Sequence, residues 1–333
     1  MNGPSYSLSA LDRYNKCSES YKLWYLSDVP RPMVSTPEIM TGTIVHEVLE
    51  EYYADRTKTV ISLLEAYWTK FLAPYGPVQG VLTEYRKSFN SLAKRANKEY
   101  RGPDAIRTAD GKVSRTPHLT AQWQRAVKDM SLDTRKAAID KRFNDPWHGV
   151  SVADVYVDTW NCLETYVGSK EIHEVLHIED QFNGLVFPTT EAPMNGFIDL
   201  VCRTPSGDIL LVDHKTTARQ PSSSYEIGFN EQLLVYGWAI YKKYGIQPHR
   251  IALNYVRFDR LVDAPFRMDR AEEAIARQEA AVRGVQAGIF IKQNPTSFNQ
   301  ECHNKFLKRT CAYLSYCHPD YAEYIERSEN VGN

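Results

Sequence analysis

The stretch from Met194 to Thr217 reads MNGFIDLVCRTPSGDILLVDHKTT and predicts two short strands joined by a tight turn. Aliphatic and β-branched residues run from Phe197 to Cys202 and from Ile209 to Val212. Pro205-Ser206-Gly207-Asp208 between them carries the turn chemistry. Asp199 lies in the first strand; Asp213 and Lys215 lie in the second. Strand side chains alternate, so Asp213 and Lys215 share a face, ~6.6 Å apart at about 3.3 Å per residue. A hairpin across the turn brings Asp199 beside them. The apolar run before Asp213 predicts a buried strand, and charges on a buried strand need a reason. Two carboxylates supply hard oxygen ligands for Mg²⁺ or Mn²⁺ and leave positions for water and a phosphate oxygen. Lys215 can orient or help deprotonate that water and can stabilise the anionic transition state. An Asp-x-Lys tripeptide by itself is common and also suits a buried ion pair at a sheet edge.

Outward from the hairpin, the texture is helical on the N-terminal side. Helices are predicted from Ser5 to Leu26, with Ser7 or Ser9 as N-cap, then over Thr41–Asp55 and Val60–Leu72. Polar helical segments follow near 81–100 and 117–142, then a helix over Val152–Val167. His173–Asn183 reads as a strand before the hairpin. Beyond it come a helix over Glu231–Tyr244, a strand over Arg250–Phe258 and a helix over Met268–Ala287. The expected fold is α/β, a small mixed sheet flanked by helices, with an N-terminal helical region and a helical insertion. The expected segments are 1–80 (N-terminal helices), 81–150 (basic insertion), 151–293 (core) and 294–333 (a cysteine-containing tail packing with the N-terminus).

Forty Lys and Arg against 41 Asp and Glu give a net charge of −1 over 333 residues, which excludes a globally basic binder. The sum hides segregation. Arg86–Arg142 holds 15 Lys/Arg and 6 Asp/Glu, a local net of +9, so the remainder carries −10. That stretch is either a surface for phosphate backbones or a solvated helical face. No apolar run is long enough for a membrane span, and the N-terminus has no apolar signal core. A cytoplasmic protein is expected.

Five elements in chain order resemble the PD-(D/E)XK nuclease superfamily, in particular its RecB-like branch with the AddB-type and CRISPR-associated exonucleases. Gly42-Thr43-Ile44-Val45-His46 resembles a helix with a metal-binding histidine. Glu179 in HIEDQF resembles an acid in the strand before the hairpin, with Asp180 as its rival. Gly196-Phe197-Ile198-Asp199 resembles the first metal aspartate element. Val212-Asp213-His214-Lys215-Thr216 resembles the (D/E)XK element, with Asp in the acidic position. Gln232-Leu233-Leu234-Val235-Tyr236 resembles the QxxxY helix. The resemblance implies Asp199, Asp213, His46 and Glu179 as ligands of Mg²⁺ or Mn²⁺ and Lys215 as the catalytic lysine. It gives Gln232 and Tyr236, one helical turn apart, to DNA contact or support of the hairpin.

Six cysteines in a cytosolic chain argue against disulfides. Cys162 and Cys202 sit in apolar contexts and read as core residues. Cys17, Cys302, Cys311 and Cys317 resemble the one early and three late cysteines that hold a 4Fe–4S cluster in some RecB-like nucleases, although the gap from Cys302 to Cys311 is longer than that family's habit. Four thiolates also suit zinc. The resemblance implies a metal-dependent DNA exonuclease acting on single strands or ends in replication, recombination or repair. A viral or mobile-element source, with the host-cell cytoplasm as its location, fits the same family. A structure-specific endonuclease shares this core, and an inactive DNA-binding subunit is the reading from another class. No GxxxxGK[ST] element is present, so any helicase or recombination motor is a separate partner.

Overall fold

The computed structural model describes residues 6–29, 37–72 and 152–295, except 165, 167, 218 and 220, and residues 302–322, except 305–308 and 312. The basic stretch and the helices expected near 81–100 and 117–142 lie outside the described residues.

The predicted hairpin is the middle of a five-stranded sheet. Strand β2 (Glu174–Gln181) is antiparallel to β4 (Phe197–Arg203), and β4 is antiparallel to β5 (Ile209–Lys215) in the register Leu200 to Val212. Between β2 and β4 lies a two-residue strand, β3 (Met194–Asn195), which pairs in parallel with β1 (Tyr6–Ser7). Gly207 turns the hairpin at φ +91°, a conformation most L-residues avoid. Strand β6 (Arg250–Tyr255) runs parallel to β5, and β7 (Arg260–Pro265) closes the order β2-β4-β5-β6-β7. A parallel pair needs a crossover, supplied here by α7 (Glu231–Tyr244), with the short α6 (Ser224–Ile227) before it.

β5 is central, and its apolar residues serve two cores by alternation. Leu210 and Val212 pack with the helices α3 (Pro37–Ala54), α4 (Val60–Leu72) and α5 (Val152–Leu163). Ile209 and Leu211 pack with α1 (Leu8–Lys16), α7 and α8 (Met268–Gln286). A strand covered on both faces needs apolar residues at successive positions, as the sequence ILLV provides. Among the described residues no helix is long and apolar enough to cross a membrane.

The sequence reading needs correction in three places. The helix expected over Ser5–Leu26 is two helices, α1 and α2 (Ser18–Tyr25), because Cys17 adopts an extended backbone (φ −158°, ψ 102°). Ser7 caps α1, its hydroxyl accepting from the Ala10 amide, and the Cys17 sulfur does the same for α2 from the Ser20 amide. Second, the helix expected over Thr41–Asp55 begins earlier, at Pro37, whose missing N–H the first turn does not need. Third, the strand expected over Arg250–Phe258 ends at Tyr255, turns through Val256–Phe258 and returns as β7. This edge strand gives no strong alternation and ends at a proline, which an edge tolerates.

Candidate metal centre

The hairpin does what its alternation predicts. Asp213 and Lys215 face α7, and the Lys215 ammonium lies 2.6 Å from Asp213 Oδ2. That buried oxygen is held by this ion pair alone. Asp213 Oδ1 accepts instead from Gln232 Nε2 at 3.0 Å. Gln232 therefore works with both ends of its amide: Nε2 also meets the Tyr236 hydroxyl at 2.9 Å, and Oε1 accepts from Lys215 Nζ at 3.3 Å. The i, i+4 spacing on α7 puts Gln232 against the Asp213–Lys215 pair and buries Tyr236 behind it.

Asp199, His46 and Glu179 converge from three elements. Gly42 and His46 are one turn apart on α3, and α3 comes near enough to the end of β5 for a Cβ at Gly42 to sit 3.6 Å from Thr216 Oγ1. His46 Nε2 lies 3.1 Å from the His214 carbonyl oxygen. A carbonyl only accepts, so Nε2 carries a proton, and Nδ1 faces the carboxylates. Nδ1 stands 3.4 Å from Asp199 Oδ2 and 4.0 Å from Glu179 Oε1. One ligand atom from each of His46, Glu179 and Asp199 lies within 4.8 Å of the others.

Glu179 reaches this group through an unusual backbone. Its φ of +44° is in the left-handed region, which costs a non-glycine residue about 1 kcal/mol or more. The following residue faces elsewhere: Asp180 accepts from Lys243 Nζ at 2.7 Å and from the Tyr244 hydroxyl at 3.1 Å, both on α7. Of the two acids in HIEDQF, Glu179 is the one at the centre. Gly196, just before the Asp199 strand, passes close to Phe182, since a Cβ there would stand 2.2 Å from its ring.

The centre is short of positive charge. Burial, then the Asp213 carboxylate, pushes the Asp199 carboxyl up to about 6. Burial, then Asp199, Glu50 and Asp213, pushes Glu179 up to about 7. Crowded carboxyls with an imidazole nitrogen among them form an oxygen-rich donor set that fits a hard divalent cation. Glu50, one turn beyond His46, lines the opening of this centre with Glu47. Its place was readable from the i, i+4 spacing on α3.

Sequence reasoning missed the other side of β5. His214, between Asp213 and Lys215, donates its backbone N–H to Asp199 Oδ2 at 2.7 Å, while its carbonyl holds His46. Its imidazole points the opposite way and is fully enclosed. Asn254 Nδ2 donates to His214 Nδ1 at 2.9 Å and to the Tyr166 hydroxyl at 2.9 Å. Tyr166 in turn bonds the Tyr53 hydroxyl, and the Tyr53 ring stacks on His214 at 5.6 Å with 3° between planes. Burial pushes the imidazole down to about 3, so it is neutral and its Nδ1 accepts. Arg257 clamps the end of the same strand: it makes a bidentate pair with Asp158 and donates to the Thr216 carbonyl.

All six cysteines are thiols. Cys17, Cys302 and Cys311 line one cavity of about 350 Å³. The long gap between the last two closes because β8 (His303–Asn304) and β9 (Arg309–Thr310) form a hairpin, with the Cys311 amide bonded to the Cys302 carbonyl at 2.9 Å. Cys317 ends α9 (Leu314–Cys317); burial, then Cys311 and Cys17, pushes its thiol up to about 11. Cys162 and Cys202 are fully buried in the core, as expected.

No curated protein matches the sequence. The family model of the PD-(D/E)XK nuclease superfamily matches residues 5–318, nearly the whole chain, so the protein belongs to the PD-(D/E)XK nuclease superfamily.

Proposed function

We propose that this protein is a metal-dependent deoxyribonuclease of the RecB-like branch, an exonuclease that hydrolyses single-stranded DNA or DNA ends in replication, recombination or repair. The observation that carries the reading is the convergence of His46, Glu179 and Asp199 on one side of the Asp213–Lys215 pair. His46, Glu179, Asp199 and Asp213 would hold Mg²⁺ or Mn²⁺. Bound there, the ion offsets the carboxylates' charge and supplies Lewis acidity to the scissile phosphate. Lys215 is set by Asp213 and Gln232 and presents its ammonium to the attacking water and to the anion that forms. Gln232 and Tyr236 support the pair from α7. The segment 81–150, with its net charge of +9 over 86–142, would supply positive charge for the DNA backbone.

The same reading gives the termini a 4Fe–4S cluster on Cys17, Cys302, Cys311 and Cys317, which staples the tail at 294–333 to the N-terminal helices. The shared cavity and the β8–β9 closure support it. Anaerobically purified protein should be brown and hold ~4 irons per chain; colourless, iron-free protein refutes the cluster.

End-labelled single-stranded DNA, linear and covalently closed, tests the activity with Mg²⁺, Mn²⁺ and chelator. Progressive shortening of linear DNA with intact circles is the expected result, and full activity in chelator overturns the site. Cut circles mean an endonuclease, and DNA bound without any cleavage means a binding subunit.

A further inference from the structure

A groove of about 640 Å³ opens beside Asp199, between the start of α1, the β3–β4 junction and the first turn of α7. Its chemistry does not suit a phosphate. None of the described residues lining it is Lys, Arg or His, and Asp12, Glu231 and Asp199 are acidic. The walls are carboxamides instead: Asn15, Asn195 and Gln278 all face the groove. Gln278 is 4% exposed, and its buried Oε1 has no hydrogen-bond partner among the described residues. An unpartnered acceptor calls for an N–H donor, and a phosphodiester has none. At the rim, Phe197 is 48% exposed although it starts a strand whose next residue is fully buried. Two positions along the same strand stands Asp199.

We infer that this groove binds an unpaired nucleobase of the nucleic-acid strand, stacked on Phe197 with its N–H edge turned to Gln278. Every base has an aromatic face and an N–H donor on its pairing edge, so the site tolerates sequence. In a duplex those donors are already engaged, so the site selects single strands. The inference deepens the nuclease reading, on which it rests for the position of the scissile phosphate near Asp199.

The test uses the full-length protein in Ca²⁺, with single-stranded oligonucleotides in which one abasic residue is stepped along the strand. Loss of a base–aromatic stack, about 1–3 kcal/mol, corresponds to roughly 5- to 150-fold in affinity. One abasic position should weaken binding in that range, as should Phe197→Ala with the intact strand. Phe197→Tyr should bind like the unmutated chain, and Gln278→Leu should lose less than Phe197→Ala. A 2-aminopurine at the sensitive position should change its fluorescence on binding, and Phe197→Ala should remove that change. Phe197 is exposed, so a folded variant is expected, and its melting temperature verifies this. Equal binding of abasic and intact strands, or no effect of Phe197→Ala, overturns the inference. Phe197-dependent binding without cleavage in Mg²⁺ or Mn²⁺ refutes the nuclease reading and leaves the base site standing. No binding of DNA at all refutes both.

Discussion

The two faces of β5 carry three successive polar residues and treat them in opposite ways. On the α7 face, Asp213 and Lys215 meet as an ion pair, and one Asp213 oxygen is held by that pair alone. On the α3 face, His214 is equally buried, but its Nδ1 is bonded and its ring is stacked. Low dielectric makes an unsatisfied group costly and a satisfied network rigid. One face therefore gathers the charged pair of the centre, and the other fixes the peptide between its two members. The two meet at the His214 backbone, which holds Asp199 by its N–H and His46 by its carbonyl.

The largest expected effects come from the α7 face. Asp213→Ala and Lys215→Ala should each lower cleavage by ~10³-fold or more, measured in single-turnover assays with Mn²⁺, while far-UV circular dichroism stays unchanged. Retained cleavage in either would erase the distinction between the faces.

A smaller loss is expected from the α3 face. Asn254→Leu leaves His214 Nδ1 unpartnered and frees the peptide that orients Asp199 and His46. Mn²⁺ affinity should weaken about 10- to 100-fold, read by titration calorimetry, the range for groups that orient metal ligands. Tyr53→Phe keeps the ring stack and should bind Mn²⁺ more nearly like the unmutated chain. A stability loss in Asn254→Leu with unchanged metal affinity would reduce that face to a packed core.

The smallest effect is a pH dependence. Asp199 and Glu179 hold protons in the metal-free folded state, up to about pH 6 and 7, that the unfolded chain releases near 3.8 and 4.5. Across that window the folded state binds more protons, so metal-free stability should fall as pH rises. Mn²⁺ affinity should rise over the same interval, with proton release on binding. Urea melts and calorimetry in buffers of different ionisation heat measure both. Metal-free stability that rises between pH 4.5 and 7 would contradict the crowding of these carboxyls.

Much of this was legible because it depends on local periodicity. The hairpin follows from its two apolar runs and its turn, α7 from an unbroken helical pattern, and the shared face of Asp213 and Lys215 from the period of a strand. Glu179 against Asp180 was undecidable on that basis, because a left-handed φ at Glu179 changes which way the strand's side chains point. The division of the first helix at Cys17 was equally hidden, since nothing about a cysteine in a helical pattern marks an extended backbone.

The sequence by itself determined the fold class, the central strand and the identity of the acids and lysine that face one another. Alternation and apolar runs act over a few residues and need no partner. Only the tertiary structure decided which groups satisfy them. It set Gln232 between Asp213 and Lys215, locked His214 through Asn254 and Tyr53, and closed the gap from Cys302 to Cys311. Those choices join residues as far as 168 positions apart, as His46 and His214 are, and no local pattern carries such a pairing.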